Sequence, residues 1–165
     1  MNDTEKHMTN LYGENKISKA DGRIAFRGII DSLEAELVEA QVLASECGDK
    51  DTCEKLGEVL DYVRKIMAAE VKDTPLELPF LFGLEANEIH RQTHKTCPFV
   101  LPSYTQGPVA ARINKLRAKV REAELLAVRV FGHANTRDDI ILALNRLSSA
   151  LWWLFCNYIQ SLPTE

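Results

Sequence analysis

Apolar residues recur at alternating steps of four and three from Val109 to Phe131: Val109, Ile113, Leu116, Val120, Ala123, Ala127 and Val130. That period is the seam of a helix packed in a bundle. A first long helix from about Asp21 has the same spacing, with Phe26, Ile30, Leu33, Leu37, Ala40 and Ala44 on its seam and Gly48 just past its end, a usual C-terminal signal. A second runs from about Asp51 to Val71, burying Leu56, Val59, Leu60, Val63, Ile66 and Met67, with Asp49 or Asp51 able to cap it. Pro75 and Pro79 stop helical structure, residues 72–83 form a connection, and Leu84 to His94 make a short helix at best. The prolines at 98, 102 and 108 make CPFVLPSYTQGP a loop, with Pro108 in the first turn of the next helix. Asp138 and Asp139 cap a last helix that is apolar on nearly every side, the expected centre of the bundle. Residues 1–20 are polar and read as an extended or irregular lead-in, flexible until a ligand is bound. No strand is predicted. The pattern gives an all-α bundle of four long helices and one short, in a single domain over residues 1–165.

The chemistry begins one helical step from the seam. Ala110, Asn114, Arg117, Arg121, Glu124, Val128 and Phe131 form a row on the border of the buried face, whereas Arg112, Lys115, Lys119, Glu122 and Arg129 form an ordinary solvated face. A neighbouring helix or subunit should cover Arg117, Arg121 and Glu124, and covered charges need partners. On the first helix the equivalent row is Arg27, Asp31, Glu34, Val38 and Gln41, so Asp31 holds the border position that Arg117 holds later. Asn145 is stranded in the apolar last helix. The bland readings are surface salt bridges for the charges and a backbone-satisfied amide for Asn145.

Composition narrows the class further. A net charge of −4 offers no footprint for nucleic acid. No run of eighteen apolar residues occurs and the polar start is not a signal peptide, so no membrane role is expected and the chain is read as cytoplasmic. Cys47, Cys53, Cys97 and Cys156 lack paired zinc-site spacing and read as free thiols, with a Cys47–Cys53 bridge as the alternative. His90, His94 and Cys97 stand at helical metal spacing but lack an acidic second shell, and read as a helix end rather than a metal site. Trp152 and Trp153 read as core aromatics. Phe99-Val100-Leu101 is unusually apolar for a loop; it either packs under the bundle's end or meets an apolar ligand face.

Arg117-Ala-Lys-Val-Arg121-Glu-Ala-Glu124, followed by Ala-Leu-Asn145-Arg-Leu-Ser-Ser, resembles the paired helix motifs of the ATP:cob(I)alamin adenosyltransferases of the PduO and EutT type, approximately ART-x-x-RRAER and NRLSD. Lys19-Ala-Asp21-Gly-Arg23-Ile and Gly28-Ile-Ile-Asp31-Ser-Leu-Glu are similar to that family's K-x-D-P-R-V and G-x-V-D-E-L segments at the same mutual spacing. The likeness covers almost the whole chain, and His90-Arg-x-x-His94 and ALNRLSS favour the ethanolamine-utilisation branch. Departures are a shortened glycine-rich entry, leaving Thr9-Asn-Leu-Tyr-Gly13, Glu122 and Leu125 where arginines are common, and Ser149 where aspartate ends the motif. The cysteine-rich metal motif of the ethanolamine-type enzymes has no counterpart in these residues, so no metal ligand carries over.

The resemblance implies a homotrimer with active sites between subunits. Asp31 is then expected to pair with Arg117 across the interface, with Arg121, Glu124 and Asn145 as catalytic and ATP-binding residues. Thr9, Gly13 and Lys19 are expected at the triphosphate, and Phe99 and Val100 against the lower face of the corrin. ATP and cobalamin enter as substrates, with a divalent cation, Mg²⁺ by preference, on the ATP. Implied partners are a flavin or other reductase and an adenosylcobalamin-dependent enzyme, in the setting of a bacterial microcompartment. The alternative function is a non-catalytic corrinoid-binding or delivery bundle.

Overall fold

The computed structural model describes residues 6–78, 80–97, 100–134 and 136–162. Its helices are α1 (Gly22–Glu46), α2 (Lys50–Lys72), α3 (Ala86–Thr96), α4 (Gly107–Phe131) and α5 (Asp138–Ser161). The four long ones close a ring in which α1 lies between α2 and α4, and α5 lies between α4 and α2; α3 packs on α5. Short connections make α1 with α2, and α4 with α5, adjacent pairs.

The seams are those of the sequence. Phe26, Ile30, Leu33, Leu37, Ala40 and Ala44 of α1 are buried against Val109, Ile113, Leu116, Val120, Ala123 and Ala127 of α4. Each buried Leu, Ile or Phe contributes about 1.5–3 kcal/mol. The last position differs: Phe131, not Val130, closes the α4 seam, edge-on to Phe26 with ring centroids 5.2 Å apart. α5 is long and apolar enough by length and composition to cross a membrane, but half of that stretch is buried in the bundle, so packing against its neighbours accounts for its hydropathy. All four cysteines are free thiols.

The helix ends follow local chemistry. Asp21 caps α1 by accepting from the Arg23 amide at 2.8 Å, and Asp49 caps α2 by accepting from Thr52 at 3.0 Å. Arg137, itself buried, ties the α4–α5 connection to α2 by donating to the Ala69 carbonyl at 3.0 Å and the Thr74 carbonyl at 2.9 Å. Asp139 answers it at 3.0 Å and also accepts from the Leu76 amide at 2.8 Å.

One expectation is corrected. The chain is not strand-free: Met8–Tyr12 (β1) and Asn15–Ser18 (β2) form an antiparallel hairpin, with Thr9 opposite Ile17 and Asn10 opposite Lys16. The register slips between Asn10 and Tyr12, so Leu11 bulges, and Gly13 makes the turn at φ 51°, a backbone region that suits glycine. The fold is therefore mostly helical with one small sheet. The hairpin is docked on α1, since the Leu11 carbonyl accepts from Arg27 at 3.0 Å.

Candidate active site

The α4–α5 crossing brings the sequence-predicted polar residues together. Asn145, in the third turn of α5, donates from Nδ2 to Glu124 Oε1 of α4 at 2.9 Å, and its Oδ1 accepts from Arg146 Nη1 at 2.7 Å. Arg146 in turn donates through Nε to Asn87 Oδ1 on α3 at 2.8 Å. The amide is thus oriented by a partner on each side, and the carboxylate stays half-buried beside it.

Beside this network a cleft of about 280 Å³ is lined by Thr93, His94, Pro102, Arg117, Arg121, Ser148, Ser149 and Trp152. Its wall carries two guanidiniums, three hydroxyls and an indole face, with no carboxylate. Arg117 donates to Asn114 Oδ1 at 3.1 Å and lies over Trp152, its guanidinium carbon 5.2 Å from the ring centroid. Burial, and then repulsion from Arg121, lowers the Arg117 pKa from its ordinary value. These two cations stand close enough to repel, which is the arrangement an anionic ligand relieves.

Helix α3 forms the opposite wall. His90 Nδ1 and Ser149 Oγ are 2.9 Å apart, Thr93 Oγ1 donates to the Ile89 carbonyl of its own helix at 2.7 Å and lies 3.3 Å from the Ser149 carbonyl, and the His90 and His94 rings meet edge to face at 4.7 Å. Burial, then the charge of Arg146 and the neighbouring His94, holds His90 below its usual imidazole range. Among the described residues no group of three or more His, Cys, Asp or Glu is placed to hold a metal ion. Cys97 is in contact with the buried thiol of Cys156, whose pKa burial pushes up to about 12.

Other expected residues lie elsewhere. Thr9, Gly13 and Lys19 are on or beside the hairpin, which the contacts above dock to α1 rather than to the α4–α5 crossing. Asp31 is exposed on α1 and, among the described residues, forms no ion pair, so it does not meet Arg117 of its own chain. Phe99 lies outside the described residues. Val100 packs partly against the core, as one of the two readings of that loop has it, while Leu101 is exposed. Trp152 and Trp153 pack partly against the core, as expected, and both stay half-buried: Trp153 stacks on Phe82 with ring centroids 5.4 Å apart, while Trp152 also faces the cleft, because α5 turns one side toward the groove between α3 and α4. Sequence reasoning misses Arg146, Thr93 and the pairing of His90 with Ser149, although Arg146 and Ser149 stand within the same ALNRLSS segment as Asn145.

Residues 2–158 match the cobalamin adenosyltransferase family model, and the chain belongs to that family. It is 34% identical over 153 residues to the corrinoid adenosyltransferase EutT of Salmonella typhimurium, covering 88% of this chain and 56% of the relative. With EutT of Escherichia coli K12 it shares 33% identity over 164 residues, covering 94% and 60%. The chain therefore spans less than two thirds of the length of these relatives. Its fold is that of a PduO-type ATP:corrinoid adenosyltransferase variant from Lactobacillus reuteri, solved with cobalamin and ATP, at a TM-score of 0.71 and 21% identity over 98% of this chain and 94% of that one. A second variant of that protein, complexed with ATP, superposes at a TM-score of 0.70 with 20% identity, covering 98% and 95%.

Proposed function

We propose that this chain transfers the 5′-deoxyadenosyl group of ATP to cob(I)alamin, giving adenosylcobalamin and triphosphate. The observation that carries the reading is the oriented Glu124–Asn145–Arg146 network opening beside a cleft with two guanidiniums and an aromatic face. In the reaction the cobalt electron pair attacks the 5′ carbon of ATP. A cobalt–carbon bond forms, the carbon–oxygen bond breaks, and its electron pair leaves with the triphosphate.

Little covalent chemistry is left to the protein, so its work is positioning and charge neutralisation. Arg121 offsets the leaving charge. Glu124 and Asn145 present an acceptor and an oriented amide to the nucleotide, and the hairpin brings Thr9, Gly13 and Lys19 to the phosphates. By the family resemblance Phe99 and Val100 would face the corrin and help exclude water from it. A divalent cation, Mg²⁺ by preference, would enter with the triphosphate and help offset its charge.

The site is completed by a second copy in a homotrimer, with Asp31 of one copy pairing with Arg117 of the next. Two features support this. The cleft in one chain, about 280 Å³, is at the low end of the roughly 300–1,000 Å³ of pockets that enclose a single drug-sized ligand, and here two substrates must meet. Asp31 shares its helix face with Val38 and Val42, exposed at 45% and 52%, and Arg121 shares its face with Leu125 and Val128, exposed at 59% and 45%. Apolar side chains flanking both charges are what a neighbouring copy would cover. Within the cell the reading places the chain in the cytoplasm or beside a microcompartment, between a reductase that supplies Co(I) and an enzyme that uses the product.

The test is anaerobic. Chemically reduced cobalamin and ATP are mixed with the chain, and absorbance is followed for the light-sensitive cobalt–carbon bond. Turnover is expected; bound cobalamin without turnover would replace catalysis with corrinoid delivery.

A further inference from the structure

Glu70 of α2 is completely buried, and two guanidiniums from α1 hold its carboxylate: Arg23 Nε at 2.7 Å and Arg27 Nε at 2.5 Å. Two cations against one anion leave this cluster with a surplus positive charge, and Arg27 Nη2 is sealed from solvent without an acceptor among the described residues. Such a cluster is costly unless its remaining donors are answered. The hairpin answers one donor on each arginine and leaves Arg27 Nη2 without a partner among the described residues. The Leu11 carbonyl accepts from Arg27 Nη1 at 3.0 Å, and the Tyr12 hydroxyl accepts from Arg23 Nη2. The Tyr12 ring covers both guanidiniums, with centroid distances of 4.8 Å to Arg23 and 5.7 Å to Arg27. These contacts all come from Leu11 and Tyr12, at the bulge immediately before the Gly13 turn.

Helices α1 and α2 have apolar seams and do not need a buried ion cluster to pack. The distinctive consequence of the cluster is instead where it holds the hairpin. We propose that Arg23, Glu70 and Arg27, capped by Tyr12, form a latch that sets the pose of the hairpin and so places Thr9, Gly13 and Lys19 on the phosphates of the nucleotide. Glu70 and Tyr12 are then positioning residues that touch no substrate. This inference rests on the nucleotide reading given above and goes beyond it by assigning the device that makes the phosphate loop. The surplus charge beneath the hairpin adds an attraction for a polyphosphate.

The experiment uses the full chain with Tyr12→Phe, which keeps the ring and removes the hydroxyl, and Glu70→Gln, which keeps the shape and removes the charge. Trypsin cleavage after Lys16 and Lys19 reports release of the hairpin. Equilibrium binding of ATP, without corrinoid, reports the site, and cobalamin binding is the control. Expected are faster cleavage, ATP affinity weakened roughly ten- to hundredfold, and unchanged cobalamin affinity. Tyr12→Phe should keep the fold with at most a small drop in melting temperature, since Arg23 is partly open to water, which keeps the test open if Glu70→Gln does not fold. Faster cleavage with unchanged ATP affinity overturns the positioning role, and unchanged cleavage overturns the latch. If the wild-type chain binds no ATP, the nucleotide reading falls and the positioning role with it, while cleavage still reports separately whether the latch holds the hairpin.

Discussion

Asn145 and Glu124 are joined across the α4–α5 seam by a 2.9 Å hydrogen bond, and the other end of the same amide is occupied by Arg146 at 2.7 Å. The side chain therefore has one orientation, with nitrogen toward the carboxylate and oxygen toward the guanidinium. An isosteric change that puts a negative charge at this point should be as harmful as deletion. Asn145→Asp sets two carboxylates against each other, and Asn145→Ala removes the bridge. Both should lower kcat by about 10²–10³, the cost of losing one oriented group in a site that works by electrostatics. Steady-state kinetics with reduced cobalamin checks it, with circular dichroism as the folding control.

The stacking of Arg117 over Trp152 makes a different prediction. Arg117→Lys preserves charge but loses the planar group that lies 5.2 Å from the indole, an interaction of about 0.5–2 kcal/mol. Trp152→Leu keeps apolar bulk and removes the ring face. Each should raise the KM for ATP, the anionic substrate, more than the KM for cobalamin, measured by varying one substrate at saturating levels of the other.

His90 carries a pH dependence. Its pKa is depressed below the ordinary 6.5 by burial first, then by Arg146 and His94, so on acidification the unfolded chain takes up the proton before the folded one does. The contribution of the neutral ring is complete above 6.5 and is lost as pH falls toward the folded value. Urea midpoints of the wild type should drop as pH falls below 6.5, and those of His90→Gln should drop less.

At the other end of the bundle Asp139 has a depressed pKa. Burial pushes its carboxyl up, but the hydrogen bonds from Arg137 and from the Leu76 and Ile140 amides outweigh this and hold it below the ordinary 3.8. Its stabilisation is complete above 3.8 and lost as pH falls through the folded value. Asp139→Asn should cost about 1–3 kcal/mol at neutral pH, and the difference from wild type should shrink in acid, both measured by denaturant unfolding.

The helices are legible in the sequence because a 4–3 seam such as Phe26 to Ala44 states both the period and the buried face. The Glu124–Asn145 pair is legible in part: Glu124 stands on a seam border, where position along a helix determines what faces a neighbour, and Asn145 is the polar residue stranded in the apolar last helix. The hairpin escapes the pattern because its strands are five and four residues long with a polar composition, and much of what holds it down comes from Arg23, Arg27 and Glu70 on other elements. Glu70 itself looks like a surface residue in the sequence; its burial depends on arginines more than forty positions away. The cleft-facing side of Trp152 is missed for a related reason. An all-round apolar helix does not reveal which side will border a groove, and that side is set by how far α3 covers α5.

The most direct test is complementation between copies. Asp31→Arg and Arg117→Asp are each made as a single variant, then refolded together, and adenosylcobalamin formation is followed by absorbance. Each variant alone should be inactive, because every interface carries a like-charge pair. The mixture should regain activity, since the guanidinium introduced on α1 of one copy then faces the carboxylate introduced on α4 of another. A mixture as inactive as its components, under conditions where the wild type turns over, would contradict a site built between copies.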